Sequence, residues 1–236
     1  MVRHPIDWRQ VLLLTALMGL VVLAWNTWAI YPLKILVVFF HELSHAVAAW
    51  ATGGHVIGIQ LQAAEGGLCT TAGGNTFLVL TAGYLGSLIW GGVILNLAAR
   101  TQADKALTVF LGVLLLAVTG WLVRPVVHFG FLFGAVTGLG FVACGLALPH
   151  GVNDILLKLV GLTSCLYAVL DIKSDVLYRP QARSDAYMLA ELTRLPTVLW
   201  GVVWFAAAVA LSGYFLLLAC RRRPRPNSAG PPAATA

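Results

Sequence analysis

The sequence predicts an all-α polytopic membrane protein with six or seven transmembrane helices and a small β-hairpin between the second and third. Three observations predict it. The chain has 236 residues, of which 59% are hydrophobic and only 10% charged, with a mean hydropathy of +0.86; a soluble domain carries about 25% charged residues, so most of this surface must face lipid. The charges are also absent from long runs: Gln10 to Leu33, Gly66 to Ala99, Ala106 to Val123, Pro125 to Asn153 and Leu195 to Cys220. A helix needs about 20 apolar residues to cross a bilayer. Finally, Ile57, Ile59 and Leu61 alternate with Gly58, Gln60 and Gln62, a period of two that belongs to strands.

Taken in order, the expected spans run 11–31, 35–51, 76–98, 106–123, 127–148, 154–176 and 197–219. The first follows Arg3 and Arg9 but carries Trp25, Trp28 and Tyr31 near its end, with no small-residue cleavage site; it reads as a retained helix rather than a signal peptide. The fourth is short, so six spans and a re-entrant segment also fit. Between spans two and three, the alternating stretch, a turn at Ala63 to Gly67 and a return at Leu68 to Thr71 predict a hairpin ending at Gly73-Gly74; a plain polar connector is the alternative. Between spans six and seven, the polar stretch Lys173 to Arg194 contains Ala186, Leu189, Ala190 and Thr193 at roughly helical spacing. Ser184 or Asp185 can cap a short helix there, and Pro196 precedes the last span. One integral-membrane domain is expected over 1–220, followed by a basic, disordered tail over 221–236. Arg221, Arg222, Arg223 and Arg225 supply much of the net charge of +6 and suit anionic headgroups; no folded basic face supports nucleic-acid binding. Cys69, Cys144, Cys165 and Cys220 form no CxxC pair and read as small buried hydrophobes.

The chemistry lies in span two. His41-Glu42-Leu43-Ser44-His45 follows Lys34 in an otherwise apolar or small stretch. Residues four apart share a helix face, so two imidazoles at this spacing can grip one zinc ion, and the Glu between them can act as general base. Ionisable groups in a membrane helix are costly and point to function. A catalytic zinc has three protein ligands and an open position. Asp171, at the end of an apolar run, is the first choice for the third, with Asp175 four residues on as support. Two solvated helix-end carboxylates paired with Lys173 or Arg179 are the second reading, and Asp175 as the ligand is the third. Spans two and six run in the same direction; His45 lies about seven residues before the span's end near Gly53 and Asp171 about seven before Tyr178, giving both a depth of about 10 Å. His55, at the start of the hairpin, is an alternative ligand or a substrate contact. His4, His128 and His150 have no spacing that favours a site.

These residues resemble the site-2 protease family of intramembrane zinc metallopeptidases, in its compact branch without an inserted peptide-binding domain. Phe39 to Ala46 matches that family's HExxH helix. Thr81-Ala82-Gly83-Tyr84-Leu85-Gly86, with Asn96 beyond it, is similar to the small-residue motif of its next core helix. Leu170-Asp171-Ile172 stands where the family has Leu-Asp-Gly, although Ile172 replaces the glycine. The resemblance implies one zinc per chain on His41, His45 and Asp171, Glu42 as the catalytic base, a membrane-protein substrate and no nucleic-acid partner. Ile59, Leu61, Gly83 and Asn96 are the candidate substrate contacts, since an exposed strand edge can hold a peptide as an added strand. The alternatives are a non-proteolytic zinc transporter or sensor, and an inactive relative. Seven basic residues on one face against eight on the other leave the positive-inside rule undecided; the resemblance places the site nearer the cytosol, and a bacterial plasma membrane is the expected setting.

Overall fold

The computed structural model describes residues 5–174 and 184–221. Helix α1 spans Trp8–Leu23 and α2 spans Tyr31–Ala51. Strands β1 (His55–Gln62) and β2 (Gly66–Ala72) form an antiparallel hairpin. Helices α3 (Thr76–Arg100), α4 (Asp104–Leu122), α5 (Phe129–Ala147), α6 (His150–Lys173), α7 (Asp185–Thr193) and α8 (Thr197–Ala219) complete the fold. Six of these helices, α2 to α6 and α8, are long and apolar enough to cross a membrane. The first expected span is divided: α1 has 16 residues, about 24 Å of helix, and turns occupy the segment up to Ile30. The predicted architecture of apolar helices with one hairpin after the second span is therefore the observed one, with six long spans and a shorter apolar helix in front. The basic tail beyond Arg221 lies outside the described residues.

Helix α2 is the centre of the bundle. Inside the fold, 72% of its apolar window is buried, against 22% for α8. Leu36 to Phe40, Leu43 and Ala46 join Ile59 and Leu61 of the hairpin, Ile94 of α3, Leu111 and Leu115 of α4, and Leu157 and Val160 of α6 in one cluster. Lipid supplies no hydrophobic drive between helices, so close packing through small residues has to hold them. Ser44 of α2 faces Gly86 of α3, and Ser164 of α6 faces Gly91 of α3; Ser164 also donates to the Ser87 carbonyl at 2.7 Å.

The hairpin runs back along α2 from the helix's C-terminal end. At its base, the Asn75 amide donates to Thr52 Oγ1 at 2.9 Å; at its tip, Lys34 of α2 meets Glu65 at 3.0 Å. The register skips Ile57, which lies between the pairs Val56–Thr71 and Gly58–Thr70. This bulge reverses the alternation at its N-terminal end: Val56 packs on the core, whereas Ile57 is 63% exposed.

Helix α7 is held by its own apolar face. Ala186 and Leu189 are fully buried against Leu80 and Tyr84 of α3, Ala168 and Ile172 of α6, and Trp204 of α8. Ser184 caps it, accepting from the Tyr187 amide at 3.3 Å. The Trp200 indole donates to Thr193 Oγ1 at 2.9 Å and ties its end to α8.

Candidate metal centre

Four elements build the site: α2, β2, α3 and α7. His41 and His45 share one face of α2, with ring centroids 4.8 Å apart. The third group at this face is Asp185, the first residue of α7. Its Oδ2 lies 2.9 Å from His41 Nε2 and 3.2 Å from His45 Nε2. Among the described residues, these three form the group of His, Cys, Asp or Glu side chains whose ligand atoms converge within 4.8 Å. Four zinc ligands on bonds of 2.0–2.1 Å stand roughly 3.3 Å apart at tetrahedral angles, so this donor set has the right chemistry and nearly the right spacing.

Hydrogen bonding explains why this cluster calls for a cation. His45 Nδ1 lies 2.7 Å from the Val79 carbonyl of α3. A carbonyl only accepts, so Nδ1 carries the proton. The Nε2 of neutral His45 then presents a lone pair, and what it faces is a carboxylate oxygen. Two acceptors at 3.2 Å repel unless a proton or a metal ion lies between them. Asp185 itself is 9% exposed.

The environment keeps the two rings in place. Tyr84 of α3 meets His41 edge-on, with centroids 5.0 Å apart at 87°, and Tyr84 in turn rests on Trp204. Gly83 lies directly against the imidazoles; a Cβ there would collide with His41 Nε2 and with Cε1 of both rings. Gly83→Ala is therefore expected to lower zinc affinity on the order of 10–100-fold, as loss of ligand-orienting contacts does, with the helical circular dichroism unchanged; competition with a zinc-sensing dye measures it.

Glu42 lies under the hairpin. It is 5% exposed, and the backbone of Cys69 gives it a hydrogen bond. Gly67 leaves the room it occupies, since a Cβ at that position would overlap the Glu42 carboxylate. The strand pattern explains the Cys69 contact. The Ile59 carbonyl accepts from the Arg124 amide at 3.0 Å, so the polar groups of Ile59 turn away from β2. In an antiparallel pair, the groups of its partner Cys69 must then turn away from β1, toward Glu42. The outer edge of β2 thus runs beside Glu42.

The chain belongs to the Peptidase M50B-like family. The family's sequence profile matches residues 13–215, most of the chain. This is a site-2 protease family, which makes the protein a metallopeptidase-family member built on membrane-spanning helices. Neither the curated proteins nor the solved structures yielded a match.

The other sequence-predicted residues fall elsewhere. Asp171, the first choice for the third ligand, is in the last turn of α6; its charge is felt at His41, but the converging carboxylate is that of Asp185. The depth argument compared residues within spans, and a short helix that folds back between α3 and α8 lay outside that comparison. Asp175 lies outside the described residues, as does His4. His55 is exposed at the start of β1 and pairs with Ala72, away from the converging group. Ile59 and Leu61, expected to touch substrate, are buried in the core at 0% and 6% exposure, because the hairpin turns that face onto α2, α4 and α5. Asn96 donates to the carbonyls of Gly92 at 2.8 Å and Phe215 at 3.1 Å and ties α3 to α8. It lies 13 residues beyond Gly83, about 20 Å along the helix. The signal that could have found Asp185 was the apolar spacing that follows it: a helix anchored by Ala186 and Leu189 must bring its first residue to the bundle.

Proposed function

We propose that this protein is an intramembrane zinc endopeptidase that cleaves a transmembrane or membrane-proximal segment of another protein. The observation that carries the reading is the convergence of His41 Nε2, His45 Nε2 and Asp185 Oδ2 beside Glu42, midway along a 21-residue apolar helix. These three residues would hold one zinc ion, which would polarise the scissile carbonyl and make a water acidic near neutral pH. Glu42 takes the proton from the attacking water and returns it to the leaving amine. Its burial and its Cys69 hydrogen bond keep the carboxylate in one place for both transfers. The His41 side chain keeps 16% exposure, which leaves the cluster an opening for water and substrate.

A substrate helix shields its peptide bonds with its own hydrogen bonds, so it must unwind before it can react. The unwound segment needs new partners in a setting that supplies no water for them. The outer edge of β2 at Gly67 and Cys69 offers backbone groups next to Glu42, and a peptide added there as a third strand would lie along the site. Family membership implies a membrane-protein substrate and a lipid environment; the bacterial plasma membrane, with the site nearer the cytosol, is the setting we assign.

The test is cleavage of a panel of synthetic transmembrane peptides in proteoliposomes containing the zinc-loaded protein. Cleavage is expected to stop with a zinc chelator and to return on adding zinc. Zinc flux into the vesicles without peptide cleavage would overturn the reading.

A further inference from the structure

The hairpin tip carries an arrangement that the catalytic chemistry does not need. Ala63, Ala64 and Glu65 form a three-residue loop between the paired residues Gln62 and Gly66. Such loops place their last residue in the left-handed region, and Glu65 has φ +60°. Glycine or asparagine suits that conformation; glutamate does not. Strained positions of this kind persist where the surroundings over-determine them. Here the Glu65 carboxylate holds Lys34 Nζ at 3.0 and 3.2 Å. Lys34 is 7% exposed within an apolar helix, a site where a cation must be paired. The Trp25 ring lies 4.8 Å from the same ammonium. Tyr167 of α6 donates to the Glu65 carbonyl at 3.3 Å, and Tyr31 of α2 donates to the Ala63 carbonyl at 2.7 Å.

Position makes this grip consequential. Lys34 is seven residues before His41, two helical turns and about 10 Å along the same face. Gly67 follows Glu65 by two residues, about 7 Å along the strand, and is the residue packed on Glu42. The ion pair therefore sets where the edge of β2 lies relative to the catalytic base. We propose that Glu65, gripped by Lys34, is a positioning residue that holds the β2 edge in register with the site, so that an extended apolar peptide added to that edge presents its bond there. The inference rests on the reading of β2 as the seat of the substrate strand.

The test uses the full-length, zinc-loaded protein in detergent and two probes. Acetohydroxamate chelates zinc and reaches no further; a hydroxamate carrying an extended apolar tripeptide chelates zinc and also lies along β2. The variant is Lys34→Met/Glu65→Gly, which removes both charges together so that neither is left buried alone, and gives the left-handed position the residue it favours. Hydrogen exchange of residues 66–72 is followed in parallel. The peptide hydroxamate is expected to weaken by about tenfold or more, acetohydroxamate to stay within about twofold, and exchange in β2 to rise; Lys34→Arg, which keeps the pair, should behave as wild type. Faster exchange with unchanged peptide affinity would overturn the proposal by removing β2 as the substrate's seat. Unchanged exchange would overturn it by showing that the ion pair does not hold the strand. Equal weakening of both probes would overturn it by assigning the pair to the metal site, and failure of both probes to bind wild type would bring down the metal reading on which it stands.

Discussion

Glu42→Gln should abolish peptide cleavage while zinc stays bound. General-base contributions run to about 10²–10⁴-fold, and at 1.36 kcal/mol per factor of ten this corresponds to roughly 3–5 kcal/mol of barrier. The amide keeps the shape of the carboxylate and can still accept the Cys69 hydrogen bond, so the hairpin and the two histidines should not move. The converging ligand atoms belong to His41, His45 and Asp185, so metal content should remain at about one per chain. Single-turnover cleavage of a transmembrane peptide, read beside zinc analysis of the same preparation, checks both halves. Wild-type turnover in the variant would end the role given to Glu42; loss of zinc would move Glu42 into the coordination sphere.

The second large effect is on the metal itself. Asp185→Ala should reduce bound zinc from about one per chain to a small fraction of that, whereas Asp171→Ala should retain it. Removing the converging carboxylate leaves two neutral imidazoles among the described residues, short of the three protein ligands that a catalytic zinc takes. The charge of Asp171 is felt at His41, but Asp171 is not among the converging ligand atoms, and its loss should change zinc affinity far less. Metal analysis of the two purified variants beside wild type decides the matter: zinc lost with Asp171 and retained with Asp185 would reverse the assignment.

Much of this molecule is legible in the order of its residues. Spacing along one helix is a local property: four residues bring His41 and His45 to one face wherever that helix lies, and the apolar surroundings of the pair are visible as composition. The spans follow from length and hydropathy, and the hairpin from alternation, because both periods are set by backbone geometry. The exceptions have local causes. The first apolar run is interrupted at Ala24, so its helix is shorter than its composition. The skipped residue at Ile57 shifts the strand face near the hairpin base. Ile59 and Leu61 have the right period for a strand, but the period does not say which side of that strand meets the core.

What the sequence determined alone was therefore the membrane architecture, the two histidines and the glutamate between them. What only the tertiary structure decided was the identity of the third converging group and the seat of the hairpin. Asp185 lies 140 residues after His45 in a short helix between two spans, and nothing in its own neighbours says how deep it sits. Its place comes from Ala186 and Leu189 packing beneath Trp204 and Tyr84, and the edge of β2 reaches Glu42 because Lys34 and Thr52 hold the two ends of the hairpin. Depth and closure are properties of contacts between distant segments, and those exist only once the chain is folded.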